Sequence, residues 1–528
     1  MRDRDVRCKK LPSRLQSRER CDSGPTVSAP PPLGAVVLAA GLGKRMRSAR
    51  AKVLHELVGR PLVCHVLAAL APLDPDRVAL VVGHQAEAVR AAVADAERPG
   101  LRDLRIVLQA EQRGTGHAVA CAAEAFAGFA GDVLVLYGDV PLIRPATLRA
   151  LLEGHRAACA DLTLVTLSFA RPAGYGRIVR GPDGRVTGIV EERDASDVQR
   201  AITEVNPGLY AVRAELLFPL LAELRPDNAQ GELYLTDAVG LAAREGYRVH
   251  TVQAGSAAEL AGVNTRAELA DMEVRVRGEI VERWMAAGVT FEDPATAYVG
   301  PDVVIGRDTV IGPNVQLRGR TRVGEGCRLD GTAYLADTTL GDRVHLLFGC
   351  VADGAEIGHD ARIGPFARLR PGTRLGERVH IGNFVETKQA VLGAGTKANH
   401  LTYLGDCEIG PDTNVGAGTI TCNYDGFAKH RTTIGARVQI GSDTQLVAPV
   451  SVGDDAYVGA GTTVTRDVPS GSLVVSRAPQ REVAGWVARK RALVAGKPVE
   501  GAAKPAGVRA LRPKAKAAPA RARARRRR

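Results

Sequence analysis

Hydrophobic positions in the C-terminal third of this chain recur every sixth residue, usually with glycine next in line. The series runs Ile305-Gly306, Ile311-Gly312, Leu317, Val323-Gly324, Leu329 and Leu335. After short slips it resumes as Ile357-Gly358, Ile363-Gly364, Leu369, Leu375-Gly376 and Ile381-Gly382. A last run reads Ile434-Gly435, Ile440-Gly441, Leu446, Val452-Gly453, Val458-Gly459 and Val464. Neither the helical period nor the strand period of two produces this spacing. A triangular coil does. Each hexad supplies a short strand and a turn, the aliphatic side chain points inward, and glycine eases the backbone at the corner. Three hexads close a coil and coils stack at about 4.8 Å, so Ile305 to Val464 amounts to about nine coils and a prism roughly 40 Å long.

Upstream the patterning changes. Gly34–Ala40 and Val133–Tyr137 are continuous apolar runs, the kind buried on both faces of a parallel sheet. Arg266 to Gly288 mixes charged and aliphatic residues at helical spacing and predicts a helix. The expected organisation is an extension over 1–32, an α/β domain over 33–263, a helical linker over 264–288, the prism over 289–478, and a C-terminal segment over 479–528.

The formal charge of +13 sits mainly at the ends. Residues 501–528 carry eleven Lys/Arg and no acid, and residues 1–32 carry eight Lys/Arg against four Asp/Glu. The body between them is nearly neutral, so it is not built to bind polyanions, and no specific nucleic-acid partner is expected. Both ends read as disordered, and the N-terminal extension lacks the apolar core of a signal peptide. No apolar run reaches the length of a membrane span, so no membrane insertion is expected. Nine scattered cysteines without a CxxC pair point to reduced thiols in a cytoplasmic protein, with neither a disulfide framework nor a zinc site.

Chemistry enters at the first strand. Gly34–Ala40 ends in small residues and runs into Gly41-Leu42-Gly43-Lys44-Arg45-Met46, with Lys52 seven residues beyond Arg45. Strand, glycine-rich turn and helix bring backbone amides close to a phosphate without side-chain obstruction. The spacing is neither GxGxxG nor Walker A. The pattern resembles the signature of sugar-phosphate nucleotidylyltransferases, which have a Rossmann-like, mostly parallel α/β domain. Two positions depart from it: Lys44 stands where the family usually has Thr, and Ala51 where it has Pro. The resemblance implies that Leu38, Ala39, Ala40, Gly41, Arg45 and Lys52 bind UTP, with Arg45 and Lys52 neutralising the triphosphate. It also implies that Gln109, Gly114 and Thr115, in Gln109-Ala-Glu-Gln112-Arg-Gly114-Thr115, read the uracil ring. Asp139, in Tyr137-Gly138-Asp139, and Asn264, in Ala261-Gly262-Val263-Asn264, would hold Mg²⁺, which suits few protein oxygen ligands. Tyr175-Gly176-Arg177, Ile189-Val190-Glu191 and Asn206-Pro207-Gly208 are similar to the uridylyltransferase branch. They imply that Gly176, Glu191 and Asn206 hold N-acetylglucosamine 1-phosphate, with Pro207 replacing a more usual Thr. The segment Gln230–Asp237 is expected to shape the same cleft.

The hexads also resemble the hexapeptide-repeat family, whose fold is a left-handed parallel β-helix and whose members are mostly trimeric acyltransferases. The repeat builds only a scaffold, so chemistry must come from residues that break it. They crowd between Leu369 and Arg431: Arg370, Asn383, Glu386, Lys388, His400, Tyr403, Asn414 and Asn423-Tyr424. Three hexads separate Arg370 from Lys388, so the two should stack on one edge, one coil apart. Leu33 to Trp486 is similar to the bacterial enzymes that join a uridylyltransferase to a glucosamine-1-phosphate acetyltransferase. By that resemblance His400 is the general base, a role suited to imidazole. Arg370, Lys388, Tyr403 and Asn414 would bind glucosamine 1-phosphate. Ala417, Asn423, Tyr424, Ser442, Ala460 and Arg477 would bind acetyl-CoA, Asn423 also donating to the thioester oxygen. The expected protein is a cytoplasmic homotrimer making UDP-N-acetylglucosamine from acetyl-CoA, glucosamine 1-phosphate and UTP. One alternative is a single-function nucleotidylyltransferase with a purely structural prism, which the polar cluster argues against. Another is a regulatory subunit, a type that loses the phosphate-loop cations this chain keeps in Arg45 and Lys52.

Overall fold

A computed structural model describes residues 30–94, 101–170, 172–476 and 480–496. The expectations for most of the two ends, and for Arg477, lie outside the described residues. The sheet of the N-terminal half contains β1 (Leu33–Ala39), β4 (Arg77–Val82), β5 (Leu104–Leu108), β6 (Asp132–Tyr137) and β7 (Leu162–Ser168). It is completed by β8 (Gly176–Arg180), β9 (Val186–Val190), β10 (Glu204–Asn206), β11 (Tyr210–Arg213) and β12 (Val249–Gln253). A small hairpin, β2 (Glu56–Leu57) with β3 (Arg60–Pro61), stands apart. The sheet order is β5-β4-β1-β6-β11-β7-β10-β8-β9, with β12 added on β7. β5, β4, β1 and β6 are parallel, while β11 runs antiparallel to both β6 and β7. All of β1 is buried, as its unbroken apolar run requires. From β1 the chain builds outward first through β4 and then through β6. The carboxyl ends of β1 and β6 therefore flank a topological switch point, where open α/β sheets bind ligands.

The helix expected from Arg266 to Gly288 is present as Arg266–Ala286. Thr265 caps it: its hydroxyl accepts from the Glu268 amide at 3.2 Å, and the Glu268 carboxylate accepts from the Thr265 amide at 3.0 Å. Met272, Ile280 and Val281 of this helix are buried in one apolar cluster with Leu57 and Val58 of the hairpin and Val289, Phe291 and Val299 of the first coil.

The prism follows as a left-handed parallel β-helix. Strands pair with the strand one coil on: Val310 with Arg328, Gln316 with Tyr334, Arg368 with Glu386. One face carries eleven strands, from Thr290–Phe291 to Leu473–Val474, which extends the roughly nine coils expected from the repeat. At its two ends Phe291 and Val474 are followed by Glu292 and Val475, so these strands lack the aliphatic-glycine pair that makes most of the others visible in the sequence. The inward aliphatics are all but fully buried, Ile311, Leu317 and Leu329 having no exposure. A second inward position, two residues earlier, is filled by small residues such as Thr309, Val315, Thr321 and Cys327. Buried threonines such as Thr309 and Thr413 donate to backbone carbonyls, Thr309 to Gly324 at 2.9 Å and Thr413 to Gly435 at 2.8 Å, so these hydroxyls cost little, whereas the buried Thr432 hydroxyl has no partner among the described residues.

The role of the corner glycines differs from the expected one. The left-handed backbone conformation falls on residues such as Asp308, Asn314, Asp360 and Asp412. Apart from Gly364 (φ 98°), which relieves its corner as expected, corner glycines such as Gly306 and Gly358 instead meet the next coil. A Cβ on Gly306 would lie 2.5 Å from the Gly324 carbonyl, and one on Gly358 would lie 2.7 Å from the Gly376 carbonyl carbon. Close stacking of backbone on backbone demands glycine there. Among the described residues Cys64, Cys121, Cys327, Cys350, Cys407 and Cys422 carry thiols outside any disulfide, whereas Cys159 is disulfide-bonded, so the expectation of uniformly reduced thiols does not hold at Cys159. Residues 480–496 belong to a separate unit that contains the helix Trp486–Val494. Among the described residues no helix is long and apolar enough to cross a membrane.

Candidate functional site

Two clusters form. The first opens at the carboxyl ends of β1 and β6. Leu38, Ala39 and Ala40 are buried and deliver the chain to Gly41, around whose Cα there is open space. Gly43 takes a left-handed conformation (φ 59°), and a Cβ there would lie 2.8 Å from Cβ of Lys52, so the turn folds directly onto the lysine. Arg45 is exposed and pairs with no carboxylate among the described residues. Lys52 Nζ donates to Asp139 Oδ2 and, at 3.2 Å, to Asn264 Oδ1. The two oxygens expected to hold a metal thus converge on a single positive charge. Their proximity is set by the backbone: the Val263 amide donates to the Asp139 carbonyl at 2.9 Å, and the Asn264 amide to Glu268 at 2.6 Å. Glu268 therefore caps the linker helix and fixes the asparagine that precedes it. A Thr-x-x-Glu pattern after Asn264 signals that cap in the sequence.

Gln109 is buried, with its amide nitrogen 3.3 Å from the Gly114 carbonyl and 3.1 Å from His117 Nδ1. Thr115 accepts from the Leu235 amide at 3.0 Å, and the next residue, Thr236, donates to Glu191 Oε1 at 3.0 Å. The Gln230–Asp237 segment thus ties the loop expected to read the base to the wall expected to hold the sugar. Burial pushes the Glu191 carboxyl above the usual carboxylate range, and the Thr236 hydroxyl opposes that shift. A Cβ on Gly176 would fall 2.8 Å from Ile189 Cγ2 and 3.4 Å from Glu191 Oε1, which leaves this wall room only for glycine. Asn206 has little exposure, its amide donating to Tyr210 OH at 2.6 Å and its Oδ1 accepting from the Gly208 amide at 3.0 Å, so one N–H remains for a ligand. Burial pushes the Tyr137 phenol up, and the charges of Glu191 and Asp139 add to that shift.

The second cluster lies on the prism. Arg370 and Lys388 stack one coil apart as expected, since Arg368 pairs with Glu386 and the Arg370 amide donates to the Thr387 carbonyl at 2.9 Å. Arg370 also binds Glu386 at 2.9 Å. A third cation, Lys429, is not among the expected residues. It lies against Lys388 and, with Arg370, holds that ammonium below the usual lysine range. Lys429 sits in a loop where the coil lengthens. The step from Asn414 to its partner Gln439 is longer than the steps from Lys397 to Asn414 and from Gln439 to Tyr457. Only the folding back of that loop, with Tyr424 bridged to Lys429, reveals its place.

His400 stands one coil above Asn383, and its Nδ1 is 2.9 Å from Asn383 Oδ1. An oxygen acceptor there fixes the hydrogen on Nδ1 and leaves the Nε2 lone pair free. The strand register carries the same column upward. Ala398 pairs with Val415, Val415 with Ile440 and Ile440 with Val458. Two residues further along each strand, His400, Ala417, Ser442 and Ala460 therefore form one line over three coils, roughly 14 Å. Tyr403 lies around the corner, with its hydroxyl 3.5 Å from the Asn423 amide. That amide also donates to Asp406, so Asn423 is anchored inside the pocket, while Tyr424 is largely exposed and donates to the Gly426 carbonyl at 2.7 Å. Asn414 heads the strand after this corner.

Comparison with known proteins agrees with this geometry. Residues 35–236 match the MobA-like NTP transferase domain, and residues 354–389 and 431–466 match the bacterial transferase hexapeptide (six repeats). The chain is 49% identical over 460 residues to the "Bifunctional protein GlmU" of Pelobacter propionicus, covering 87% of this chain and 99% of the relative. It is 47% identical to the protein of the same name from Corynebacterium efficiens over 86% of this chain and 94% of the relative. For that of Mycolicibacterium gilvum the identity is 49%, over 86% and 92%. With both domain matches in order along one chain and near-complete coverage of these relatives, the chain belongs to the bifunctional GlmU family, and it is an enzyme that joins a nucleotidyltransferase to an acyltransferase.

Proposed function

We propose that this enzyme makes UDP-N-acetylglucosamine in two steps, acetylating glucosamine 1-phosphate on the prism and then transferring UMP from UTP on the α/β domain. The observation that carries the reading is the His400 column, a base with a free Nε2 directly below the three stacked residues expected to meet acetyl-CoA. Glucosamine 1-phosphate binds with its phosphate against Arg370, Lys388 and Lys429, and Tyr403 and Asn414 orient the sugar. His400 Nε2 takes a proton from the amine as nitrogen attacks the thioester carbonyl, and the thiolate of coenzyme A leaves. Asn423 lines the approach with Ala417, Tyr424, Ser442 and Ala460, and the family resemblance adds Arg477.

In the other domain Arg45 and Lys52 bind the phosphates of UTP, and Gln109, Gly114 and Thr115 hold the uracil. Gly176, Glu191 and Asn206 hold N-acetylglucosamine 1-phosphate so that a phosphate oxygen faces the α-phosphorus in line with the leaving pyrophosphate. Asp139 and Asn264 form an all-oxygen pair aimed at one cation, a donor set that fits Mg²⁺. When bound there, Mg²⁺ supplies positive charge against the triphosphate. Boundaries near 33, 264, 289 and 479 divide the chain into its working parts, and the enzyme acts in the cytoplasm. It is a homotrimer: Phe348, Phe366 and Phe384 stack along one prism edge with ring centroids 5.7 and 5.6 Å apart, remain about half exposed, and lead to exposed Leu401 beside His400. An apolar edge of that length is suited to burial against a second copy.

Mass spectrometry of a mixture with glucosamine 1-phosphate, acetyl-CoA and UTP tests the whole reading. Free coenzyme A, pyrophosphate and UDP-N-acetylglucosamine are expected in equal amounts. Formation of a UDP-sugar from unacetylated glucosamine 1-phosphate, with no coenzyme A released, would refute it. Gly176→Ala tests the sugar wall: crowding against Ile189 and Glu191 should raise KM for N-acetylglucosamine 1-phosphate by roughly tenfold and leave KM for UTP unchanged. Steady-state kinetics with each substrate varied in turn reads the difference.

A further inference from the structure

Between its two short helical turns, Lys44–Met46 and Lys52–Leu54, the phosphate loop crosses an irregular stretch, Arg47–Ala51. That stretch carries Lys52 into place, and the side chain of Gln85 ties its backbone to the end of the sheet. Gln85 Oε1 accepts from the Ala51 amide at 2.8 Å, and Gln85 Nε2 donates to the Ala49 carbonyl at 2.6 Å. The side-chain amide thus stands in for a segment of strand, pairing with the amide of one residue and the carbonyl of another. Gln85 itself lies just beyond the carboxyl end of β4, three residues past Val82, in a left-handed conformation (φ 61°) that a side chain of its size rarely takes. Such a conformation persists only where its surroundings hold it, and here it aims the amide at the loop.

We infer that Gln85 is a positioning residue for UMP transfer, which sets the backbone of Ala49–Ala51 and through it the reach of Lys52. This rests on the reading that Lys52 binds the phosphates of UTP. Lys52 begins the turn that Ala51 caps, and its ammonium must span to Asp139 and Asn264. Freeing its backbone lets that ammonium wander, and small misplacements of a charge at a reacting centre are costly. The side-chain bonds of Gln85 go to the Ala49–Ala51 backbone, so it acts through the lysine segment.

The backbone of Ala51 supplies a discriminating test. Its φ of −57° and ψ of 140° are those of a proline. Proline at 51 would restrict the same backbone without help, but its ring would occupy the space in which Gln85 Oε1 now meets the amide. The two changes should therefore repair each other. In the full-length enzyme, Gln85→Ala should lower kcat/KM for UTP by roughly tenfold while acetyl transfer, assayed on the same preparation, stays at the wild-type rate. Ala51→Pro alone should also be impaired, through loss of its hydrogen bond and crowding against Gln85. The double variant should return to within about threefold of wild type, a coupling that independent sites do not show. The inference fails if Gln85→Ala stays within about twofold of wild type, or if Ala51→Pro brings no recovery in the Gln85→Ala background. Lys52→Ala separates this from the wider reading. If Lys52→Ala leaves kcat/KM for UTP intact, the assignment of the UTP site is wrong. If it is impaired and Gln85→Ala is not, only the role of Gln85 is lost.

Discussion

Changing His400 to Ala cuts acetyl transfer by roughly 10²–10⁴-fold and leaves UMP transfer at the wild-type rate. The loss follows from the proton. The amine must lose one as it attacks the thioester, and on the proposed reading the acceptor is the Nε2 lone pair of His400, whose ring the Asn383 contact orients. Removal of the ring leaves in place the cations Arg370, Lys388 and Lys429, which on the same reading bind the phosphate. The KM for glucosamine 1-phosphate should therefore change little while kcat falls, the signature of an interaction made in the transition state. Lys388→Ala should show the reverse, a raised KM with kcat preserved, because the charge of the phosphate is the same throughout the reaction. Thiol release from acetyl-CoA, followed continuously at neutral pH, measures both. Near-normal turnover by His400→Ala would pass the role of base to Tyr403 or to water.

The second large effect belongs to the other domain. Asp139→Ala removes one of two oxygens that converge with Lys52, and with it a charge clamp worth several kcal/mol, so UMP transfer should fall by at least about a hundredfold. Acetyl transfer should persist, since the prism strands pair among themselves and the side-chain bond of Asp139 goes to Lys52 in its own domain. Asp139→Asn refines the test. It keeps the size and one oxygen but not the charge, and should recover part of the lost rate at raised magnesium concentration. Loss of both activities from a folded Asp139→Ala protein would show that the two sites are not separate.

Much of this is legible from pattern alone. The hexads announce a prism because an inward aliphatic is required at each rung, and the three-hexad coil places Arg370 beside Lys388 without any structure. The apolar runs of β1 and β6 likewise mark central strands whose ends hold Gly41 and Asp139. What escapes depends on contacts between distant segments. Asn383 meets His400 only because the coil between them falls just short of three full hexads, a shift that moves the histidine over the asparagine. Lys429 joins Arg370 and Lys388 only once the loop after Asn423 has folded back, and no spacing rule describes that loop. Gln85 and Ala51 come together from separate βα units. Threonine in the interior is hidden for another reason. Polarity marks a residue as outward in pattern reading, yet buried hydroxyls such as those of Thr309 and Thr413 find a carbonyl of the coil wall.

The glycine corners also govern how such a molecule can change its length. A Cβ at Gly306, Gly341 or Gly376 would meet the backbone of the next turn at 2.5–2.8 Å, so neighbouring turns cannot slide, and extra chain has nowhere to go but outward. The loop after Asn423 does so: Cys407 reaches its partner Thr432 only across that excursion, yet Thr432 pairs with Val450 at the ordinary three hexads, and the rungs above continue undisturbed. Growth or shortening is therefore tolerated in whole circuits of three hexads. Excising a single hexad between Asn383 and His400 would hand every later side chain to the neighbouring edge and part the two. Excising a full circuit below Arg370 would instead lower the whole cluster from Arg370 to His400 intact towards the linker helix. Height is free to vary in this architecture, and angular phase is not.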